Sequence, residues 1–420
     1  MRYKFLVLII FSLVSAQSLF NSSLGGDSFS GSVRSTAMGK THLLNSTGSS
    51  NVRFNPAMLS SRINGIGIDF QVNRFASFER WSMPMRDSFD EVLVYGDYAS
   101  NEFSKFLVAG GATMTLEIPL IGNLGLGFRH YPLTHFTYSY SEEVRGTYRP
   151  EDDEYASKDP IVGYHNYNVD GALMASTVGL GAKLNLNDNI SSSIGFSISS
   201  TQPFKITHEI IVDSLYTDVT NLSEYTDAMR VFEASSSEKF IGLNFQLGIG
   251  SRNFVSLLIE NDLSMKFTDS NPDFSIKVDS TLYVKPRLIS FSWNQLSTES
   301  IPLSLSFQVD QFSYIDDEDN DAFYKWKFGF EYMTQLGTPV RAGLVYTTQR
   351  DKTSSPSTTM FTFGSGKSIG DISIDIAGTY ELFTFQHMDL FPVENDVRPN
   401  VYDTIRDSQL NLFLAVSYSF

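Results

Sequence analysis

From about residue 64 onward, hydrophobic and polar residues alternate with a period of two along much of the chain. Near the C-terminal end Leu410, Leu412, Leu414, Val416, Tyr418 and Phe420 fall on one face, with Asn411, Phe413, Ala415, Ser417 and Ser419 on the other. The same split places Ile241, Leu243, Phe245, Leu247 and Ile249 opposite Gly242, Asn244, Gln246 and Gly248. It returns at Ile372, Ile374 and Ile376 opposite Asp371, Ser373 and Asp375. Period two is the side-chain period of a β-strand, so each run predicts a strand with one apolar and one polar face. Strands of soluble sandwiches usually run to about five or six residues. Runs here reach about ten to fifteen, which a tilted membrane-crossing strand needs.

The alternation predicts strands at roughly 64–78, 104–117, 122–140, 169–186, 189–202, 238–250, 253–267, 282–294, 301–314, 323–334, 338–349, 357–364, 369–380 and 408–420. That is about fourteen, an even number, as bacterial up-and-down barrels have. Short links at 118–121, 187–188, 251–252, 336–338 and 365–368 alternate with long ones at 79–103, 141–168, 203–237 and 381–407. Short periplasmic turns and long external loops give that alternation when both termini are periplasmic. The expected fold class is therefore all-β, a transmembrane antiparallel barrel in a bacterial outer membrane.

Composition sharpens this reading. The chain has 34 Phe, 20 Tyr and 29 Gly, as suits a β-protein with one apolar and one polar face. With 31 basic and 47 acidic residues it carries a net charge of −16, which disfavours nucleic acid as a partner. It has no cysteine, and therefore neither a disulfide framework nor a thiolate metal site. Arg2 and Lys4 precede an apolar core from Phe5 to Val14, and Val14-Ser15-Ala16 forms a small-residue cleavage site, so residues 1–16 read as a signal peptide. No later apolar stretch is long enough for a membrane helix. Residues 17–63 are rich in Gly, Ser and Asn and lack sustained alternation. A barrel of fourteen strands leaves luminal space, so this segment is expected to be a plug, a disordered periplasmic tail being the alternative. The barrel itself spans 64–420.

Arg34-Ser35-Thr36-Ala37-Met38-Gly39, followed by Asn55-Pro56-Ala57, resembles the N-terminal signature of the FadL/TodX family of outer-membrane transporters and their PorV-like relatives. Phe330-Glu331-Tyr332 with Pro339-Val340-Arg341-Ala342-Gly343-Leu344 resembles a C-terminal hairpin of that family. Thr362-Phe363-Gly364 to Asp375-Ile376-Ala377 resembles its penultimate hairpin. The resemblance covers the start and the last hundred or so residues well, and the middle only by pattern. It implies a fourteen-stranded barrel with an N-terminal luminal hatch, in which Asn55, Pro56 and Ala57 hold the hatch against the wall. Proline fixes φ and asparagine caps a turn, so the pair makes a stiff corner; an ordinary turn before the first strand is the alternative.

Charged residues opposite the apolar rows should face the lumen, because a cation pointing into lipid costs about 2–4 kcal/mol at the midplane. Arg129, Glu331, Arg341, Asp371 and Asp375 are the expected luminal ion-pairing residues, with Glu331 and Arg341 as a wall-to-hatch pair. A generic polar lumen is the alternative. Tyr131 and Pro132 lie in the third strand, where proline marks a bulge, a kink or a strand end. In the resembled family an inward kink of that strand opens a lateral route, so a wall gap is expected there, unless Pro132 sits at the external rim.

Other chemistry is absent or weak. Gly364-Ser365-Gly366-Lys367-Ser368 lacks the first glycine and the helix of a phosphate loop. The acidic run 316–321 lacks the glycine and distal glutamate of a calcium loop. The six histidines show no metal spacing, and no nucleophile elbow occurs, so neither an enzyme nor a cofactor is expected. Passive uptake of small hydrophobic molecules, fatty-acid-like or aromatic, is the leading functional expectation. A PorV-like barrel serving protein secretion, with a secretion-system partner, is the other. Outer-membrane lipid is an expected partner, as is the barrel-assembly machinery through Phe420.

Overall fold

The computed structural model describes residues 26–27, 31–61, 65–89, 91–118, 122–145, 161–187, 189–215, 225–276, 282–298, 300–314, 322–349, 356–392 and 402–420. The signal-peptide reading, the first part of the plug segment and the acidic run 316–321 lie outside the described residues.

Fourteen strands form the wall: β1 Gly65–Arg86, β2 Val92–Ile118, β3 Gly122–His135, β4 Ala172–Asn187, β5 Ile190–Thr201, β6 Lys239–Ile249 and β7 Asn253–Glu260. They continue as β8 Arg287–Gln295, β9 Leu303–Ser313, β10 Phe323–Met333, β11 Pro339–Thr347, β12 Thr358–Ile369, β13 Ile372–Met388 and β14 Tyr402–Ser419. Each pairs antiparallel with its neighbour in the chain, and β14 returns to β1 with Tyr418 opposite Ile68, which closes the sheet. Burial runs opposite to that of a water-soluble protein. On β6, Leu243 and Phe245 are 55% and 48% exposed while Asn244 and Gln246 are 2% and 4% exposed. An apolar belt facing out and a polar row facing in fit a bilayer around the barrel.

Tight turns join β6 to β7, β10 to β11 and β12 to β13 at Gly250, Gly337 and Gly370, all with φ between 60° and 66°. Only glycine adopts that region without strain. The β12–β13 turn lies beyond the 365–368 segment expected from local composition. Ser365 to Ser368 stay in the ladder opposite Ile376 to Ser373, so cross-strand pairing overrides the Gly/Ser content.

Among the described residues, the expected long loops are largely sheet. β1 and β2 run on past the belt as a hairpin through 79–103. The connections β3–β4, β5–β6 and β7–β8 build a five-stranded cap in the order Thr268–Asp269, Ala228–Ala234, Phe204–Ser214, Ile161–Asp170, Tyr138–Arg145. Its inner face buries Tyr138, Tyr140, Tyr167, Ile206, Ile210 and Phe232 against Trp81, Tyr131, Phe240 and Phe391. Two of the pairings, Ile161–Asp170 with Phe204–Ser214 and Ala228–Ala234 with Thr268–Asp269, join strands from different connections, which the alternation of each short run could not reveal.

Ahead of β1, residues 31–61 sit inside the barrel as α1 Val33–Ala37, α2 His42–Asn45, α3 Asn51–Phe54 and two 3₁₀ turns, Gly48–Ser50 and Pro56–Ser61. Helices of four or five residues have no stability of their own. Tertiary contacts hold them: Val33, Ala37, Leu43, Val52 and Ala57 are fully buried.

Candidate functional site

The hatch is tied to the wall at charged and polar points spread around the lumen. On one side Arg34, from α1, donates to Glu331 of β10 through Nε at 3.1 Å and Nη2 at 2.8 Å. Glu331 also accepts from Arg341 Nε at 2.6 Å, and Arg341 Nη1 donates to Asp375 at 2.5 Å. Glu331 and Arg341 face each other across adjacent strands, so they are a wall-to-wall pair. The hatch joins this network through Arg34. Asp371 is not part of it: it lies exposed in the Gly370 turn, where its carbonyl accepts from the Ser419 amide at 3.1 Å. Being one residue before β13 puts it beyond the luminal face that alternation assigned to it. A cavity of about 300 Å³ opens beside this network at the turn end, lined by Arg34, Asp69, Arg341, Lys367 and Asp375.

Further round, Arg129 of β3 donates to Ser49 of the hatch at 2.7 Å, to Asp69 of β1 at 3.1 Å and to Gln71 at 3.0 Å. Ser49 Oγ donates to Asp69 at 2.8 Å. The Asn55 amide donates to the Leu43 carbonyl and to Gln246 Oε1 of β6 at 3.0 Å, and its Oδ1 accepts from the Met58 amide at 3.1 Å. The Ala57 amide donates to Asn244 at 3.3 Å. Pro56 and Ala57 press on Gly181 and Gly195, where a side chain would collide with the hatch backbone.

Two further clusters tie the hatch to wall charges that alternation turns inward, Glu260 and Lys327, through hatch residues that alternation leaves unassigned. Arg53 of α3 gives two hydrogen bonds, at 2.9 and 2.8 Å, to Glu260 of β7, and Lys285 lies 2.8 Å from the same carboxylate. Arg53 also stacks over Phe54, Tyr131 and Phe240, at 4.7, 5.6 and 5.2 Å from the ring centroids. The other cluster joins His42 to Gln308 at 3.1 Å, and Lys327 to Asp310. Arg34 opens the motif that carried the family resemblance, so its role had a signal. Arg53 had none: it lies in a segment without alternation and outside the motif.

Above the hatch the wall changes character. The β2–β3 ladder ends at Gly110 opposite His130. The β3–β4 ladder continues to His135, with a register shift between Pro132 and Thr134. Tyr131 is buried and its hydroxyl lies 3.1 Å from Thr177 Oγ1. Gly26–Asp27 forms a short strand on the β2-facing edge of β3, opposite His135 and Thr134. β3 therefore leaves β2 over its last five residues, Tyr131 to His135.

In the cap, Tyr167 Oη lies 2.7 Å from His208 Nδ1. Burial lowers the His208 imidazole to about 4, aided by Arg230 and opposed by Asp269. The unfolded cap, with an ordinary imidazole, then binds the proton more tightly. Stability is complete above about pH 6.5 and falls as the pH drops towards 4, by roughly 3 kcal/mol. Proteolysis of the cap is expected to accelerate over that interval, and His208→Gln is expected to remove the pH step.

No family model matches the chain, and no curated protein does. Solved structures do match. A Pseudomonas aeruginosa FadL homologue aligns over 94% of this chain and 99% of its own, with a TM-score of 0.60 at 12% identity. The Pseudomonas putida toluene transporter TodX aligns over 94% and 99%, with a TM-score of 0.55 at 12% identity. The Ralstonia pickettii toluene transporter TbuX aligns over 94% and 99%, with a TM-score of 0.50 at 12% identity. At that identity the likeness establishes the fold: a FadL-type β-barrel with an N-terminal segment in its lumen.

Proposed function

We propose that this barrel takes up small hydrophobic molecules passively, and that they leave the lumen sideways through the gap between β2 and β3. The observation that carries the reading is the parting of β3 from β2 above a hatch latched to the wall on several sides. A latched hatch leaves no straight path for an apolar molecule, whereas a break in the ladder at the level of Phe106 and Val108, which are exposed on the belt, offers a lipid-side one. The similar structures of toluene transporters support the same class of cargo. In this reading residues 17–63 form the hatch, Asn55-Pro56-Ala57 is its corner, the ion pairs at Arg129 and at Glu331, Arg341 and Asp375 are its anchors, and Tyr131 and Pro132 mark the exit. No metal or cofactor enters the scheme.

Equilibrium binding of a fatty acid, a detergent and an aromatic hydrocarbon to the purified barrel tests the reading. At least one is expected to bind and to quench tryptophan emission, since Trp81 lies in the buried aromatic core under the cap. Absence of binding by all three would overturn it.

The secretion reading has one observation in its favour. Met85, Phe89, Leu93 and Val94 stand 53%, 85%, 69% and 55% exposed at the tip of the β1–β2 hairpin, beyond the last pairing with β14 at Ser82 and Thr404. A barrel that binds none of the three apolar probes but loses a bound protein partner when Phe89 and Leu93 become serine would favour it.

A further inference from the structure

The gap between β2 and β3 has two margins. Its lower margin is the last ladder pair, Gly110 and His130. Five residues further along each strand, a distance of about 16 Å at the usual strand rise, Lys105 is level with His135, whose partner on this edge is Gly26 of the short Gly26–Asp27 strand. There Lys105 Nζ donates to Asp170 at 2.6 Å, with the two side chains 30% and 68% exposed. Asp170 closes the cap strand Ile161–Asp170, just ahead of β4. Thr137 Oγ1 donates to the same carboxylate at 3.1 Å, and the Phe136 amide donates to the Gly171 carbonyl at 2.9 Å. Asp170 is thus fixed to the far end of β3, and Lys105 belongs to β2. Higher still, the Ser141 amide donates to Asn101 Oδ1 at 3.0 Å, a second and neutral tie between β2 and the cap.

We propose that the Lys105–Asp170 ion pair is a strap that sets the width of the lateral gap and so governs the passage of apolar molecules through it. The proposal rests on the lateral-exit reading above. The pair is a charged link between the two diverging edges, and both side chains are partly exposed, which keeps the attraction weak enough to open and close. Its position on the route, rather than its strength, gives it control. Neither residue is needed to close the ladder below, so their replacement leaves the barrel wall intact.

The absence of cysteine provides a clean background for the test. Ala109 is buried at 3% exposure, on β2 between the two margins, and Ala109→Cys reports access through the gap to a lipid-soluble maleimide. Lys105→Gln in that background is expected to raise the labelling rate about fivefold, the scale of a partly exposed ion pair. Lys105→Arg, which keeps the pair, is expected to leave it unchanged. Separately, Lys105→Cys with Asp170→Cys, bridged by a short bismaleimide, is expected to cut uptake of N-phenyl-1-naphthylamine into proteoliposomes about tenfold relative to the unbridged protein. Equal labelling in the Gln and Arg variants overturns the strap. Labelling that rises in the Gln variant while dye uptake ignores the bridge supports the strap and overturns the lateral exit instead.

Discussion

Replacing Glu260 with alanine is expected to loosen the hatch more than any other single substitution. Glu260 is fully buried and takes both Arg53 hydrogen bonds as well as the Lys285 ammonium. Its removal strands two buried cations together, and breaking a buried pair in this way costs about 3–5 kcal/mol. The ring contacts of Arg53 with Phe54 and Phe240 recover only part of that, since a cation over an aromatic face contributes about 0.5–2 kcal/mol. Amide exchange across residues 51–61 is expected to quicken by a hundredfold or more, the factor corresponding to about 3 kcal/mol. Exchange within β12 and β13, across the barrel, should not change. A triple variant, Arg53→Met, Glu260→Leu and Lys285→Met, is expected to regain most of the protection, because an apolar replacement of a buried ionic cluster carries no stranded charge. If Glu260→Ala leaves exchange in 51–61 as it was, this latch does not hold the hatch.

The second large effect is expected at the Asn55-Pro56-Ala57 corner. Gly181 and Gly195 let Pro56 and Ala57 lie directly on the wall, with no space for a side chain between them. Gly181→Val with Gly195→Val is expected to lift the corner, with an overpacking cost of about 1–3 kcal/mol at each site. The hydrogen bonds from Asn55 to Gln246 and from the Ala57 amide to Asn244 would then break. The parent barrel is expected to be silent in a planar bilayer, with the double variant carrying a steady current. A silent double variant would show that the corner yields locally while the remaining latches keep the lumen sealed.

Much of this architecture was legible in the chain because membrane strands obey a local rule. Leu410 to Tyr418 and Ile241 to Ile249 reveal their lipid face by alternation alone, since side chains on a strand point to opposite sides whatever lies beside them. The positions of the cap and the hatch latches follow no such rule. Phe204, Ile206 and Ile210 look like any half-buried run, and only pairing with Ile161–Asp170 and Ala228–Ala234 makes them a lid. Ser365 to Ser368 read as a turn from composition and are ladder residues in the fold. Asp371 read as luminal and lies one residue outside its strand.

The same division runs through the site. Alternation placed Arg129, Glu331, Arg341 and Asp375 towards the lumen, because an ion facing hydrocarbon is too costly to keep. It could not choose their partners. That Arg341 meets Glu331 and Asp375 follows from the register of β10 to β13, and that Arg34 meets Glu331 follows from the seating of α1. Pro132 marked a fault in β3 from its missing amide hydrogen, yet only the closed barrel shows that β3 parts from β2 after His130, stays paired with β4 and takes Gly26–Asp27 on its vacated edge. The sequence by itself determined the barrel, its number of strands and which face of each strand carries the charges, all properties of neighbours along one strand. The tertiary structure alone decided the cap, the latches, the end of the β2–β3 ladder and the Lys105–Asp170 contact, because each joins residues whose distance in space bears no relation to their distance along the chain.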